Sequence, residues 1–157
     1  MLASRHWLNR RYTEQIELVF VGNQHVIHAQ WRVSLIKVIT TLKRRQGMSV
    51  KDFRNYYENH HRVIGEKYLS GFAARYIRRY TTTLPGSEWS RVEPEFDVLL
   101  EIWFSDEAVF QACNKRLNEP EVAQEIIRDE EKLFERRQKR SYIVNECESA
   151  MGTQTDQ

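Results

Sequence analysis

Residues 96–104 read FDVLLEIWF, and this segment decides the fold class. Its residues alternate as in a β-strand, where successive side chains point to opposite faces of the sheet. The apolar face consists of Phe96, Val98, Leu100, Ile102 and Phe104. The mixed face consists of Asp97, Leu99, Glu101 and Trp103. We therefore expect the apolar face to be buried in a core and the mixed face to meet something partly polar.

Three further segments have strand patterns, and helical patterns lie between them. Strands are predicted at residues 34–42, 72–82 and 141–146 from their β-branched and aromatic residues. A first helix begins at Ser49, which forms a capping-box-like pattern with Asp52, and a short helical or irregular piece follows around Gly65. A second helix begins after Ser105 and restarts at Pro120, since proline is favoured in a first helical turn.

The order of these elements is β-α-β-β-α-β, which predicts an α+β protein with the ferredoxin-like fold. In that fold a four-stranded antiparallel sheet carries helices on one face. The other face is left open by so few helices, so we expect a second chain or a ligand to cover it. Residues 1–33 lack strong periodicity and are predicted to form an N-terminal extension. Residues 34–147 form the predicted domain, and the polar residues 148–157 form a predicted disordered tail.

Composition excludes several classes of protein. Lys and Arg number 24 against 22 Asp and Glu, and a net charge of +2 does not indicate a polyanionic partner. The basic runs at 43–45, 78–79 and 136–140 suggest a test for RNA binding, yet the acidic, glycine-free strand at 96–104 lacks the RNA-recognition signature. The apolar runs are too short to span a membrane. We therefore expect neither nucleic acid nor membrane as a partner.

The sequence also lacks the common cofactor motifs. Cys113 and Cys147 fit neither a disulfide framework nor a zinc site. No phosphate-binding glycine loop, nucleophile elbow, His-Glu-x-x-His pair or dinucleotide fingerprint occurs. We expect a cytoplasmic protein, in a reducing environment, that uses no redox cofactor and no catalytic metal.

The densest cluster of titratable and aromatic groups is YYENHH, residues 56–61. Helical spacing places Tyr57 and His61 in one row and His60 in the adjacent row. At the end of a helix the helix dipole favours a protonated imidazole, which suits a general acid. The alternative is that the histidines only cap the helix end. The spacing leaves open which of His60 and His61 faces a pocket.

Two further groups of residues have two interpretations each. Asp97 and Glu101 share a strand face with apolar residues, so they either form salt bridges with Lys37 or Arg75 or bind a ligand. Aromatic residues such as Tyr76 and Phe134 either line a wall for a flat apolar ligand or belong to the core.

Several of these segments together resemble a known family. They are IKVI at 36–39, LKR at 42–44, GMS at 47–49, FR at 53–54, YYENHH at 56–61, FDV at 96–98, EIWF at 101–104, PEV at 120–122 and DE at 129–130 before Phe134. In order and spacing they resemble the EthD family of the dimeric α/β-barrel superfamily, over about residues 35–147. The sequence departs from the family at Arg62-Val63-Ile64, where a small residue, a proline and an apolar residue are common. The resemblance implies a homodimer in which two four-stranded sheets face each other and enclose ligand pockets.

The resemblance also implies a range of activities. Members of the family are accessory proteins in ether degradation or, in fungal polyketide pathways, cofactor-independent decarboxylases and dehydratases. We expect a cofactor-independent lyase or isomerase, acting as a decarboxylase, dehydratase or cyclase on an aromatic or polyketide-like small molecule of secondary metabolism. The alternative is a non-catalytic small-molecule binder or an accessory protein of an oxidoreductase.

The site residues follow from the motif and from the strand faces. His61 matches the last histidine of the family's Asn-His-His motif and is the expected acid/base group. The other expected catalytic residues are His60, Tyr57 and Asp97. The expected substrate-binding residues are Lys37, Tyr76, Glu101, Trp103 and Phe134.

Overall fold

A computed structural model describes residues 13–21, 24–32, 35–88 and 90–149. The elements, in order, are β1 (Thr13–Val21), β2 (Gln24–Arg32), β3 (Ile36–Leu42), α1 (Val50–Tyr56), a π-helical turn (Tyr57–His61), α2 (Arg62–Leu69), β4 (Ala73–Tyr80), β5 (Val98–Phe104), α3 (Glu107–Leu117), α4 (Pro120–Leu133), a 3₁₀ turn (Arg136–Gln138) and β6 (Arg140–Val144). We refer to the π-helical turn as the π-turn. Most of the predicted disordered tail, residues 150–157, lies outside the described residues.

Strands β3 to β6 form an antiparallel sheet in the order β4-β5-β3-β6. Val38 of the central strand β3 lies opposite Ile102 of β5 and opposite Ile143 of β6. Residues directly opposite each other share a face of the sheet, so this register aligns the apolar rows of the three strands. The predicted ferredoxin-like fold, with its four-stranded antiparallel sheet, is confirmed.

Helices bury the apolar face of the sheet in two neighbouring clusters. One cluster centres on Phe53 and Leu133, which contact Leu42 and Val98 of the sheet. The other centres on Phe104 and includes residues of α2 and α3. The opposite face, which includes the mixed residues of β5, carries no described helix. We refer to it as the open face.

The segment at 50–69 is one continuous helical stretch, whereas the sequence predicted a helix ending near the histidines and a separate piece around Gly65. The π-turn joins α1 to α2 without a break. Gly65 lies inside α2, where the helix packs closely against Tyr76. A Cβ at this position would stand 2.5 Å from the hydroxyl oxygen of Tyr76, so the contact requires glycine. The helix ends instead at Leu69, and Gly71 follows with a φ of 82°, which favours glycine.

Polar side chains fix the starts of α1 and α3. The Ser49 hydroxyl accepts the backbone N–H of Asp52 at 3.0 Å, as the capping pattern predicted. At α3 the cap is Asp106 rather than the predicted Ser105, since Asp106 Oδ1 accepts the backbone N–H of Val109 at 2.8 Å. Pro120 opens α4 as predicted.

Within the predicted N-terminal extension, β1 and β2 pair as a two-stranded antiparallel sheet. Val21 lies opposite Gln24, and Thr13 lies opposite Arg32. The sequence analysis predicted no strands here because the apolar residues are few and partly consecutive. The dipeptide Gly22-Asn23 was an available signal, since such pairs are common in two-residue hairpin loops. The division of the chain into extension, domain and tail stays a prediction.

Candidate active site

A cavity of about 470 Å³ lies between the apolar face of the sheet and the helices. Its apolar walls include Val38, Leu69, Leu100, Ile102, Phe104, Phe110, Leu117 and Ile143. Its polar lining consists of Thr40, His61, Asn114, Asn118, Glu130, Lys139, Ser141 and Tyr142. Polar and apolar residues contribute to the lining in similar number, but most of the surface that they expose to the cavity is apolar. A largely apolar surface within a volume of about 300–1,000 Å³ is typical of small-molecule sites.

His61, the last residue of the π-turn, connects this cavity to a buried carboxylate. The residue is 8% exposed, and its Nδ1 lies 2.7 Å from Oδ2 of Asp129. Because a carboxylate accepts hydrogen bonds, Nδ1 carries the hydrogen, and the second ring nitrogen, Nε2, keeps its lone pair when the ring is neutral. None of the hydrogen bonds between described residues uses Nε2.

The charge state of His61 follows from its surroundings. Burial lowers the pKa of His61 below its ordinary value, and the Lys139 ammonium acts in the same direction. The hydrogen bond to Asp129 and the negative charge of Glu130 oppose this shift. The helix continues past His61, so the predicted dipole effect of a helix end does not apply. His61 therefore rests as a neutral imidazole at neutral pH, ready to accept a proton rather than to donate one.

Asp129 is held by the helix α4 and by a tyrosine. It lies in the row Val122, Ile126 and Leu133, at the i, i+4, i+7 spacing of a buried helix face. The Tyr56 hydroxyl donates to Asp129 Oδ1 at 2.8 Å. Asp129 is not among the site residues predicted from the sequence. An acidic residue within an otherwise apolar helical row was the signal that could have identified it.

Two further polar pairs line the cavity, and the sequence analysis missed both. Glu130 is 4% exposed, and its carboxylate accepts from Lys139 Nζ at 2.5 Å and from Arg136 Nε at 3.1 Å. The hydroxyls of Thr40 and Ser141 lie 2.8 Å apart across β3 and β6. Thr40 and Ser141 lie 101 residues apart in the sequence, and Glu130 meets Lys139 across the turn that follows α4. Neither pair follows from a local helix or strand pattern.

The other predicted catalytic residues lie away from the cavity. Tyr57 is fully buried in the core, where its hydroxyl has no hydrogen-bond partner among the described residues and burial raises its pKa. His60 is exposed and stacks on the Tyr56 ring at 4.7 Å between centroids. Asp97 accepts the backbone N–H of Arg44 at 2.9 Å and pairs with its guanidinium, which anchors the loop after β3.

The predicted substrate-binding residues divide between the open face and the core. On the open face, the Trp103 ring lies 4.0 Å from Lys37 Nζ and 4.6 Å from Arg75 Cζ. Glu101 accepts from Arg79 and from the Trp103 indole, so its interpretation as a salt bridge matches the structure, with Arg79 as the partner.

Tyr76 and Phe134 lie on the helix side of the sheet but outside the cavity lining. Tyr76 packs beneath Gly65, and Phe134 packs against the rings of Phe53 and His61. The cavity therefore takes only His61 from the residues predicted for the site.

Two findings concern other kinds of site. Among the described residues, no group of three or more His, Cys, Asp and Glu side chains has the geometry of a metal site. No helix in the described part of the chain combines the length and the apolar character that crossing a membrane requires.

Comparisons with known proteins concern the family of the chain and its fold. The family model described as EthD domain matches residues 45–137. A crystal structure of an EthD family protein from Bacillus halodurans C-125 superposes with a TM-score of 0.51 at 17% identity, covering 72% of this chain and 99% of that one. An uncharacterized NIPSNAP-like domain protein from Burkholderia xenovorans superposes with a TM-score of 0.50 at 15% identity, covering 77% of this chain and 92% of that one. Among curated proteins, none matches this chain significantly.

Proposed function

Since the chain belongs to the EthD domain family, we propose that it is a cofactor-independent lyase or isomerase in which His61 transfers protons at the cavity. The expected substrate is an aromatic or polyketide-like small molecule of secondary metabolism. The observation that carries this proposal is the His61–Asp129 pair, in which the histidine lines a cavity whose surface is largely apolar.

The arrangement favours reactions that begin with removal of a proton. A neutral His61 takes a proton from the substrate at Nε2 and becomes an imidazolium, which the Asp129 carboxylate stabilises. The imidazolium then returns that proton, either to a leaving hydroxyl, which departs as water, or to another substrate carbon. The first course is a dehydration and the second an isomerisation, and a cyclase uses the same first step. Decarboxylation instead needs a proton donor after carbon dioxide has left, so it would require His61 to start protonated.

The lining of the cavity supports a flat, oxygenated substrate. Leu100, Ile102 and Phe104 offer an apolar surface on β5, and Phe110 of α3 lines the same cavity. The hydroxyls of Thr40 and Ser141 can donate to or accept from substrate oxygens at the β3–β6 side.

Replacement of His61 tests the acid/base assignment. We expect His61→Gln to reduce turnover on the order of 10²- to 10⁴-fold, the usual contribution of a positioned acid/base group. His60→Gln is the matched control and should stay close to wild type, because His60 is exposed on the outer side of the helix. The assay uses a panel of β-hydroxy ketones, β-keto acids and hydroxylated aromatic acids. Product masses distinguish loss of water, loss of carbon dioxide and isomerisation.

The pH profile of the wild-type rate separates the reaction types. With His61 as the initial base, kcat/KM should rise with pH and level off, with an apparent pKa below the ordinary histidine value. A rate that falls across the same range would indicate a protonated His61 and favour decarboxylation. Equal turnover by His61→Gln and wild type would contradict the assignment of His61.

The second candidate function is a non-catalytic binder or an accessory protein of an oxidoreductase. The largely apolar surface of the cavity favours it, because binding needs apolar contact but no titrating group. Calorimetry with the same panel discriminates between the two functions. A binder should retain a ligand in both wild type and His61→Gln, without turnover in either.

We also propose that the protein acts as a homodimer joined through the open face. That face carries Leu99 and Trp103 of β5, together with Ile39 of the neighbouring strand β3. Two copies of a twisted sheet can bury such a face against each other.

A further inference from the structure

One carboxylate, that of Asp129, receives hydrogen bonds from two side chains of the same helical stretch. Oδ2 lies 2.7 Å from His61 Nδ1, and Oδ1 accepts from the Tyr56 hydroxyl at 2.8 Å. Asp129 is 6% exposed. Both oxygens of a nearly buried carboxylate are thus directed by neighbours, which restricts its rotation.

The π-turn explains how both side chains reach Asp129. In an α-helix each residue advances about 100°, so residues five positions apart point about 140° away from each other. Tyr56 and His61 are five positions apart, yet they meet the same carboxylate. Between them the backbone N–H of Arg62 reaches the carbonyl of Tyr57, the i to i+5 bond of a π-helix. The wider turn brings Tyr56 and His61 to the same side.

We propose that Tyr56 is a positioning residue that acts on His61 through Asp129. This inference rests on the proposed function, since it assigns Tyr56 to the proton transfer performed by His61. The Tyr56 hydroxyl holds Asp129 in the orientation that fixes the His61 ring and its tautomer. It also withdraws part of the carboxylate charge from the imidazole, which sets how readily His61 takes a proton.

The tyrosine stays a donor throughout the range in which His61 titrates. Burial and the bond to Asp129 raise the pKa of Tyr56 to about 12, so its hydroxyl keeps its hydrogen. The charged groups that act on His61 are Asp129 and Glu130 of α4 and Lys139 before β6. The other neighbours along the π-turn and the adjacent strands, Tyr57, Thr40 and Ser141, carry no charge at neutral pH. The hydrogen bond of the Tyr56 hydroxyl goes to Asp129, so removing that hydroxyl acts on His61 through the carboxylate.

The test is the titration of the His61 imidazole, followed by NMR in wild type and in Tyr56→Phe. Without the hydroxyl, the full carboxylate charge acts on the ring, so the pKa of His61 should rise. We also expect kcat to fall about tenfold, the usual effect of losing one hydrogen bond to a charged group, while KM changes little. A residue with a purely structural role would lower stability without moving this pKa.

Tyr80→Phe is the matched control for this titration. Tyr80 also donates to a carboxylate, Glu58, at 2.6 Å, but it has no hydrogen bond to Asp129. A rise of the His61 pKa in Tyr56→Phe alone supports the proposal, and identical titrations in all three proteins overturn it. Absence of turnover in wild type would contradict the proposed function instead, and the titration would still decide whether Tyr56 acts on His61.

Discussion

His60 and His61 are adjacent in sequence, yet their surroundings differ completely. His60 is exposed and stacks on a tyrosine ring, whereas His61 is buried against Asp129 and borders the cavity. Burial costs a charged imidazole more than a neutral one, which lowers the pKa of His61 in the folded protein. The same burial therefore links folding to proton binding.

Acid should destabilise the protein through His61. Its pKa in the unfolded chain is the ordinary 6.5, and its pKa in the folded protein is lower. Between these two values the unfolded chain binds more protons, so the free energy of unfolding decreases as the pH falls through that window. Urea unfolding between pH 8 and pH 5 should show this decrease in wild type, and a smaller one in His61→Gln.

His60→Gln is the control for this pH dependence, and it should follow wild type. The carboxylates Glu58 and Glu101, whose pKa values are lowered below 4.5, contribute only at more acidic pH. An equal pH dependence in wild type and His61→Gln would mean that the buried imidazole is not the linked group.

Individual residues also show which parts of the candidate site could be predicted from the sequence alone. His61 was identifiable because a helical row and a family motif both included it. Asp129 belongs to a segment of the family resemblance but was not selected as a site residue, because a helical row is identified by its apolar members and nothing local pairs this acid with His61. Lys37, Glu101 and Trp103 were assigned to the pocket because a ligand was one of the two expected covers of the open face, whereas the cavity lies on the helix-covered face.

At the level of elements, the limits of the strands in the four-stranded sheet were easier to predict than the limits of the helices. The alternation in β3 and β5 has a period of two and survives in any context, and both strands were predicted within two residues at each end. The helical stretch 50–69 was divided at Gly65 because glycine usually interrupts helices. At Gly65 the lack of a side chain lets α2 pack closely against Tyr76 of β4. This contact between distant elements leaves no pattern in the local sequence.

Gly65 should resist substitution for this reason. Alanine inside a helix is ordinarily more stable than glycine by about 0.5–1 kcal/mol. In Gly65→Ala, however, the new Cβ would stand 2.5 Å from the Tyr76 hydroxyl oxygen and 2.9 Å from its Cζ. We expect a net loss of about 1–3 kcal/mol in the free energy of unfolding, the usual cost of overpacking.

The double variant Gly65→Ala/Tyr76→Phe isolates the contact. Removing the hydroxyl relieves the closest approach, so urea unfolding should show part of the lost stability restored. A Gly65→Ala protein as stable as wild type would show that α2 can move away from β4 at little cost.

At the level of the whole molecule, the two faces of the sheet have different surroundings. Its helix-covered face lines the cavity, and its open face is the proposed dimer interface. Substitution of Leu99 on the open face tests that proposal. In Leu99→Asp the new carboxylate can be hydrated on the open face of a single protomer, whereas pairing two such faces would bury it, and burying a charge is costly.

We expect wild type to sediment as a dimer and Leu99→Asp as a folded monomer. Val63→Asp is the control, because Val63 is 49% exposed on α2, away from the sheet. Sedimentation of wild type as a monomer at every concentration would contradict the homodimer. Loss of the dimer in Val63→Asp would place the interface on the helices instead.

Strand β5 contributes to both faces of the sheet, because its successive side chains point alternately to the cavity side and to the open face. Its even-numbered positions, such as Leu100 and Ile102, border the cavity, and its odd-numbered positions, such as Leu99 and Trp103, lie on the open face. In the proposed homodimeric enzyme, substitutions at neighbouring positions of β5 would therefore affect substrate fit and subunit association separately. In saturation mutagenesis of residues 98–104, we expect substitutions at even-numbered positions to affect turnover and substitutions at odd-numbered positions to affect assembly.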